Sequence, residues 1–126
     1  MPYFYDTYAV LEYINGNERY SKYFDQDYGF LTVLNLMELY YALLSQHGEK
    51  AAEEVYSAAA RFVYEFNDDD VKDAMKLRLN LKRNALNISY ADALGYHLSL
   101  RLKVKFLTGD TAFKQLENVE YVKRRA

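Results

Sequence analysis

Four acidic residues stand where a folded chain would bring carboxylates together. Asp6 follows the aromatic run Tyr3-Phe4-Tyr5, and Asp110 follows Val104 to Thr108 by way of Gly109, so each ends a short apolar strand and precedes a helical stretch. In an open α/β sheet of parallel strands, that is the edge at which ligands bind. Glu38 and Asp92 lie on helices instead, three residues after Asn35 and Ser89, which puts both in a first turn able to face the same edge. Every one of these acids has a plain alternative. Asp6 and Asp110 suit N-cap positions, while Asn35-Leu36-Met37-Glu38 and Ser89-Tyr90-Ala91-Asp92 have the form of capping boxes. Asp68, Asp69 and Asp70 sit at another helix start and are assigned to capping alone.

The chain has 126 residues, no cysteine and two histidines, so thiolate zinc sites are excluded and any metal is expected on oxygen. His47 precedes a helix-ending glycine and reads as a surface or cap residue, and His97 reads as packing. The formal net charge of -2 supplies no global basic field, so a polyanion would need a local patch. Lys76, Arg78, Lys82 and Arg83 fall within one or two helical turns and are the candidates for such a patch, with an ordinary solvated face as the alternative. The 14 tyrosines read as half-buried rings with wet hydroxyls and receive no functional role. Motifs for a serine nucleophile, a dinucleotide or a phosphate-binding Gly-rich loop are absent. No apolar run approaches the roughly 18 residues that cross a bilayer, and Met1-Pro2-Tyr3-Phe4 does not open a signal peptide, so a cytoplasmic protein with no membrane association is expected.

The elements that must position the acids follow from periodicity. Tyr3 to Tyr5 predicts a strand and Thr7 to Ile14 a helix, stopped by Asn15-Gly16. A second helical stretch near Asn17 to Phe24 leads to a buried strand over Tyr28 to Val33. Leu36, Leu39, Tyr40, Leu43 and Leu44 mark a helix over Asn35 to Gln46, closed by Gly48, and Glu49 to about Ala60 forms the next. Phe62 to Phe66 predicts a third strand, and Asn67 to Asp70 open a helix reaching about Ala85. Leu77 to Lys82 and Leu98 to Phe106 both alternate with the period of a strand; the first is read as helix on its helix formers, the second as a helix end plus a strand at Val104 to Thr108. A short turn at Thr111 to Leu116 and a strand at Val119 to Val122 complete the chain. One domain over residues 1–126 is expected, since domains usually run to about 100 to 150 residues. The fold class is α/β, a mainly parallel central sheet flanked by helices.

The segments around the acids resemble the motifs of PIN-domain nucleases, especially VapC-type toxins. Phe4-Tyr5-Asp6-Thr7 is similar to the family's opening strand and first acid, and Val33-Leu34-Asn35-Leu36-Met37-Glu38-Leu39 to the helix bearing its second. Ile88-Ser89-Tyr90-Ala91-Asp92-Ala93-Leu94 and Phe106-Leu107-Thr108-Gly109-Asp110-Thr111-Ala112-Phe113 resemble the segments of its third and fourth. Tyr8 and Asn35 depart from the residues common there, and Thr111 and Ala112 omit an extra acid found in some members.

The resemblance implies Mg²⁺ or Mn²⁺ held by Asp6, Asp92 and Asp110 with Glu38 near, Thr7 and Thr108 orienting ligands or substrate, and water attacking an RNA phosphodiester. It further implies a homodimer and a small antitoxin partner. The alternatives are an RNA-processing or decay nuclease without an antitoxin, and an inactive PIN-like binding module, whose usual mark, loss of an acid, is not seen. The chemistry suits the residue types, because hard divalent cations prefer oxygen ligands and retain waters that attack phosphorus.

Overall fold

Short β-branched and aromatic runs separated by helices force parallel pairing, because a crossover helix returns the chain to the same end of the sheet. In a computed structural model, which describes residues 2–123, the strands β1 (Pro2–Tyr5), β2 (Tyr28–Phe30), β3 (Lys105–Thr108) and β4 (Val119–Tyr121) form one sheet in the order β2-β1-β3-β4. Every pairing is parallel. The helices are α1 (Thr7–Ile14), α2 (Ser21–Asp25), α3 (Val33–His47), α4 (Glu49–Ala59), α5 (Asp68–Arg83) and α6 (Tyr90–Arg101). The expected fold class is the one observed.

The two central strands meet in the register Phe4 to Phe106 and Tyr5 to Leu107. Successive strand residues face opposite sides, so Phe4 and Phe106 enter one core with Ala93, Leu94 and Phe113, while Tyr5 and Leu107 enter another with Ala9, Val10, Leu36 and Leu39. The sheet is thus covered by α6 on one face and by α1 and α3 on the other. Gly95 sets how closely α6 approaches, since a Cβ there would collide with the Phe4 ring. Any other residue would lift α6, and Asp92 with it, away from β1.

Three expectations are corrected. The strand read at Phe62 to Phe66 does not form: residues Ala60–Phe62 make a 3-10 turn, and only Val63 bridges to Leu31. Beyond Leu31 the chain cannot extend the pairing, because Thr32 already caps α3. For the same reason the strand read to Val33 stops at Phe30, and α3 begins at Val33 rather than Asn35. Glu38 therefore lies beyond the first turn. The alternating leucines of α5 are helical as read; Leu77 and Leu81, four apart, are partly buried while Leu79 faces solvent. At the other ambiguous stretch, α6 ends at Arg101 and Lys103 takes a left-handed φ of 59° before β3. Among the described residues no helix is long and apolar enough to cross a membrane.

Candidate active site

Parallel pairing of β1 with β3 places their ends side by side, and the first backbone bond beyond β1 runs from the Asp6 N–H to the Leu107 carbonyl at 3.1 Å. Asp6 and Thr108 then become neighbours although they are 102 positions apart, and the Thr108 hydroxyl donates to Asp6 Oδ2 at 2.6 Å. Asp6 occupies the N-cap position of α1, yet its side chain makes no capping bond. The capping alternative fails for this residue: its carboxylate turns into the cleft and is 4% exposed. Asp110 does cap, accepting from the Ala112 N–H at 2.9 Å and so starting a 3-10 turn over Thr111–Phe113. Gly109 lets this loop pack tightly, since a Cβ would strike Tyr8 and the Val122 carbonyl.

A second hydroxyl does for Glu38 what Thr108 does for Asp6. Asn35 uses Oδ1 to accept from both the Thr32 N–H, at 2.9 Å, and the Thr32 hydroxyl, at 3.0 Å. That leaves its amide nitrogen to donate to Thr7 Oγ1 at 3.0 Å, and Thr7 in turn donates to Glu38 Oε1 at 2.5 Å. Thr108 likewise accepts from the Asp110 N–H at 3.0 Å before donating to Asp6. A hydroxyl carries one proton, so a fixed donor on its lone pair aims that proton at the carboxylate. Both threonines hold an acid in place. Asn35 is the residue whose contribution sequence reasoning missed. Its signal was the Thr32-x-x-Asn35 spacing, a cap one turn earlier than the Asn35-x-x-Glu38 pattern.

Asp92 is delivered by α6, where Ser89 accepts its N–H at 3.0 Å. Here capping and a second role coexist, for the Asp92 carboxyl also faces Asp6. Burial pushes the Asp6 carboxyl well above the usual carboxylate range, the Asp92 charge adds to this, and the Thr108 bond opposes it. Asp92 is raised as well, chiefly by burial and also by the Asp110 charge, while hydrogen bonds from Asp6 and Ser89 hold it down. Glu38 is raised by burial and by Asp92, against the Thr7 bond. All four predicted acids thus belong to one electrostatic unit. Among the described residues none of them has a basic partner, the ion pairs being Lys76–Asp73, His97–Asp70 and Arg101–Asp70.

Two other groups of residues fall elsewhere. Asp70 exceeds the capping role assigned to it: besides accepting from the Asn67 N–H at 3.1 Å, it takes Arg101 Nε at 2.7 Å, Arg101 Nη2 at 3.0 Å and His97 Nε2 at 2.9 Å. His97 is thereby a polar anchor between α5 and α6, more than simple packing. The four cations of α5 do not share one face. At about 100° per residue, Lys76 and Arg83 point one way and Arg78 and Lys82 another. Arg78 is turned inward, with Nε donating to the Ile88 carbonyl at 2.8 Å.

Among the described residues no three acidic or imidazole side chains converge closely enough to enclose a cation by themselves. An all-oxygen donor set without countercharge still fits Mg²⁺ or Mn²⁺. Mg²⁺ typically takes one or two carboxylates and completes its shell with water and substrate phosphate.

A model of the PIN domain matches residues 3–119. The chain belongs to the PIN domain family. Similar solved structures include the DNA-bound VapBC of Salmonella typhimurium, with a TM-score of 0.77 at 15% identity over 98% of each chain. VapBC2 of Rickettsia felis bound to a promoter DNA fragment has a TM-score of 0.75 at 16% identity, covering 99% of this chain and 100% of that one. A toxin-antitoxin complex from Klebsiella pneumoniae has a TM-score of 0.72 at 15% identity, over 93% and 94% of the two chains. No curated protein sequence matches.

Proposed function

We propose that this chain is a single-domain, metal-dependent endoribonuclease that hydrolyses RNA phosphodiesters, acting as the toxin of a VapBC-type pair in the cytoplasm. The carrying observation is that Asp6 is buried at the end of a central strand, aimed by Thr108 into a group of acids, and neither caps its helix nor meets a cation. Burying unpaired carboxylates costs stability, so their retention calls for a ligand that repays it. Asp6, Asp92 and Asp110 would hold Mg²⁺ or Mn²⁺ with Glu38 beside them. A bound ion of this kind lowers the pKa of an attacking water and neutralises charge on the leaving oxygen. The chain's own part is orientation: Thr108 holds Asp6 and Thr7 holds Glu38. Water positioning falls to Glu38, whose Oε1 is fixed by Thr7.

Two surfaces suit the proposed partners. A cleft of about 410 Å³ between α1, α2, β2 and α4, walled by Val10, Ile14, Phe24, Leu31, Val55 and Phe62, supplies apolar area for an antitoxin segment. Val33, Met37, Tyr41 and Leu44 are exposed at helical spacing along α3, a stripe that a second copy would cover in a two-fold homodimer. The test is cleavage of a broad RNA set with Mn²⁺ or Mg²⁺. Wild type should cut, and Asp6→Asn or Asp92→Asn should lower the rate about a thousandfold or more, as loss of several kcal/mol of transition-state stabilisation requires. Asp69→Asn, at the exposed start of α5, should keep full rate. Equal loss in Asp69→Asn and Asp92→Asn would show that the site is misplaced.

A further inference from the structure

Strand register fixes more of the site's edge than the acids alone. Phe4 pairs with Phe106, Phe106 with Val119, and Thr108 with Tyr121. Strand residues two apart face the same side, so the next positions on that side are Asp6, Thr108 and Tyr121. It is the side covered by α6, the helix that delivers Asp92. The three form a row across the carboxyl ends of β1, β3 and β4. Two bonds hold the row together: the Thr108 hydroxyl donates to Asp6 Oδ2 at 2.6 Å, and the Val122 N–H donates to the Thr108 carbonyl at 2.9 Å. Neighbouring strands lie about 4.8 Å apart, which puts Tyr121 about 5 Å from Thr108 and about 10 Å from Asp6 along the row.

A cation closes the far end. Asp110 starts the 3-10 turn Thr111–Phe113, and Lys114 follows with its N–H bonded to the Thr111 carbonyl at 3.1 Å. The Lys114 side chain is exposed, and its ammonium lies over the Tyr121 ring, 5.4 Å from the centroid. Among the described residues it forms no ion pair, with Asp110 or with any other acid. Arg101 and His97, by contrast, are committed to Asp70. A polyanion entering the cleft meets the charge of four acids, and about 10 Å is close to the Debye length at 0.1 M salt, so repulsion reaches the phosphates that flank the one to be cut. The ring steadies an ammonium that would otherwise sweep solvent, and leaves its N–H donors open to an anion.

We infer that Lys114, held by Tyr121, binds the backbone phosphate next to the scissile one, so that the RNA strand runs from the acids across β3 and β4. The inference rests on the nuclease reading and specifies how substrate lies in that site. Such a contact positions the strand as a point charge on phosphate and reads no base.

The test measures binding of a fluorescein-labelled RNA 12-mer of random sequence over a salt series, in an Asp6→Asn background that prevents hydrolysis. Lys114→Gln should weaken binding about 3- to 10-fold at 50 mM salt and lower the slope of log affinity against log salt by about 0.7, the loss of one phosphate contact. Lys114→Arg should rescue both. Tyr121→Leu frees the ammonium without removing it, and should lose part of the affinity while keeping the slope; Tyr121→Phe should rescue it. Lys50→Gln removes the same charge from the exposed start of α4, which packs on α3 at the other face of the sheet, and should change neither quantity. An unchanged slope in Lys114→Gln would overturn the assignment. So would an equal change in Lys50→Gln, because the slope would then report net charge alone. If wild type with Mn²⁺ cleaves RNA while Lys114→Gln binds as its parent does, only the phosphate contact falls. Should wild type neither bind nor cleave any RNA, the nuclease reading falls and takes the contact with it.

Discussion

Asp6 and Asp70 are the same residue type, both start a helix and both are almost fully buried, yet their surroundings are opposite. Asp70 is closed by protein alone: Arg101 grips both of its oxygens, His97 touches one, and the Asn67 N–H adds another bond. Despite burial, these partners lower its pKa to about 2. Asp6 receives one hydroxyl and faces Asp92 and Glu38, so burial and like charge raise it. The difference teaches what each place is for. A carboxylate that brings its own countercharge ties α5 to α6, whereas one grouped with other carboxylates is completed only by something from outside.

The comparison is tested most severely at Asp70. Asp70→Asn should destabilise the fold by about 2 to 3 kcal/mol, below the full cost of breaking a buried pair because Arg101 is 39% exposed and partly solvated. Cleavage per folded molecule should be retained. The sign with pH follows from a depressed folded pKa: the contribution is complete above the ordinary value of 3.8 and is lost as pH falls through about 2. Denaturation curves of wild type and Asp70→Asn should therefore converge between about pH 4 and pH 2. A gap that stays constant over that range would mean that Asp70 is not the ionic knot described.

The next effect comes from the open cluster. Mn²⁺ or Mg²⁺ should raise the melting temperature of wild type by mass action, by about 2.7 kcal/mol of stability at a hundredfold excess over Kd. The same ion should do much less for Asp92→Asn. No shift in wild type at any attainable concentration, read by calorimetry, would argue that these acids hold no metal.

The smallest effect is the most telling contrast. Without metal, Asp92→Asn should match or slightly exceed wild type in stability, because one repelling charge leaves while Ser89 still accepts the N–H of that residue. Removal of a carboxylate at one helix start would then cost about 2 to 3 kcal/mol and at the other nothing. A clear loss in metal-free Asp92→Asn would place Asp92 with Asp70, as a structural acid.

The four acids were legible as candidates because each sits beside a local signal: an apolar strand before Asp6 and Asp110, a helix start before Asp92, a leucine-rich helix around Glu38. The sheet was legible for the same reason, since period and flanking caps are properties of a few consecutive residues. The third strand shows the limit. Phe62 to Phe66 has the composition of a strand, but pairing needs a partner edge, and past Leu31 the chain turns into the cap of α3.

Sequence by itself determined which residues carry charge and which end of each strand they follow, because strand period and helix capping are set within a turn or two of chain. Only the tertiary structure decided which carboxylates are answered by a cation. Asp70 meets His97 and Arg101, which lie 27 and 31 positions away, and Asp6 meets Thr108 across 102. Electrostatic energy depends on separation through space and on burial. Three aspartates in a row at Asp68 to Asp70 are alike in sequence, and become different when α6 lays Arg101 against only one of them.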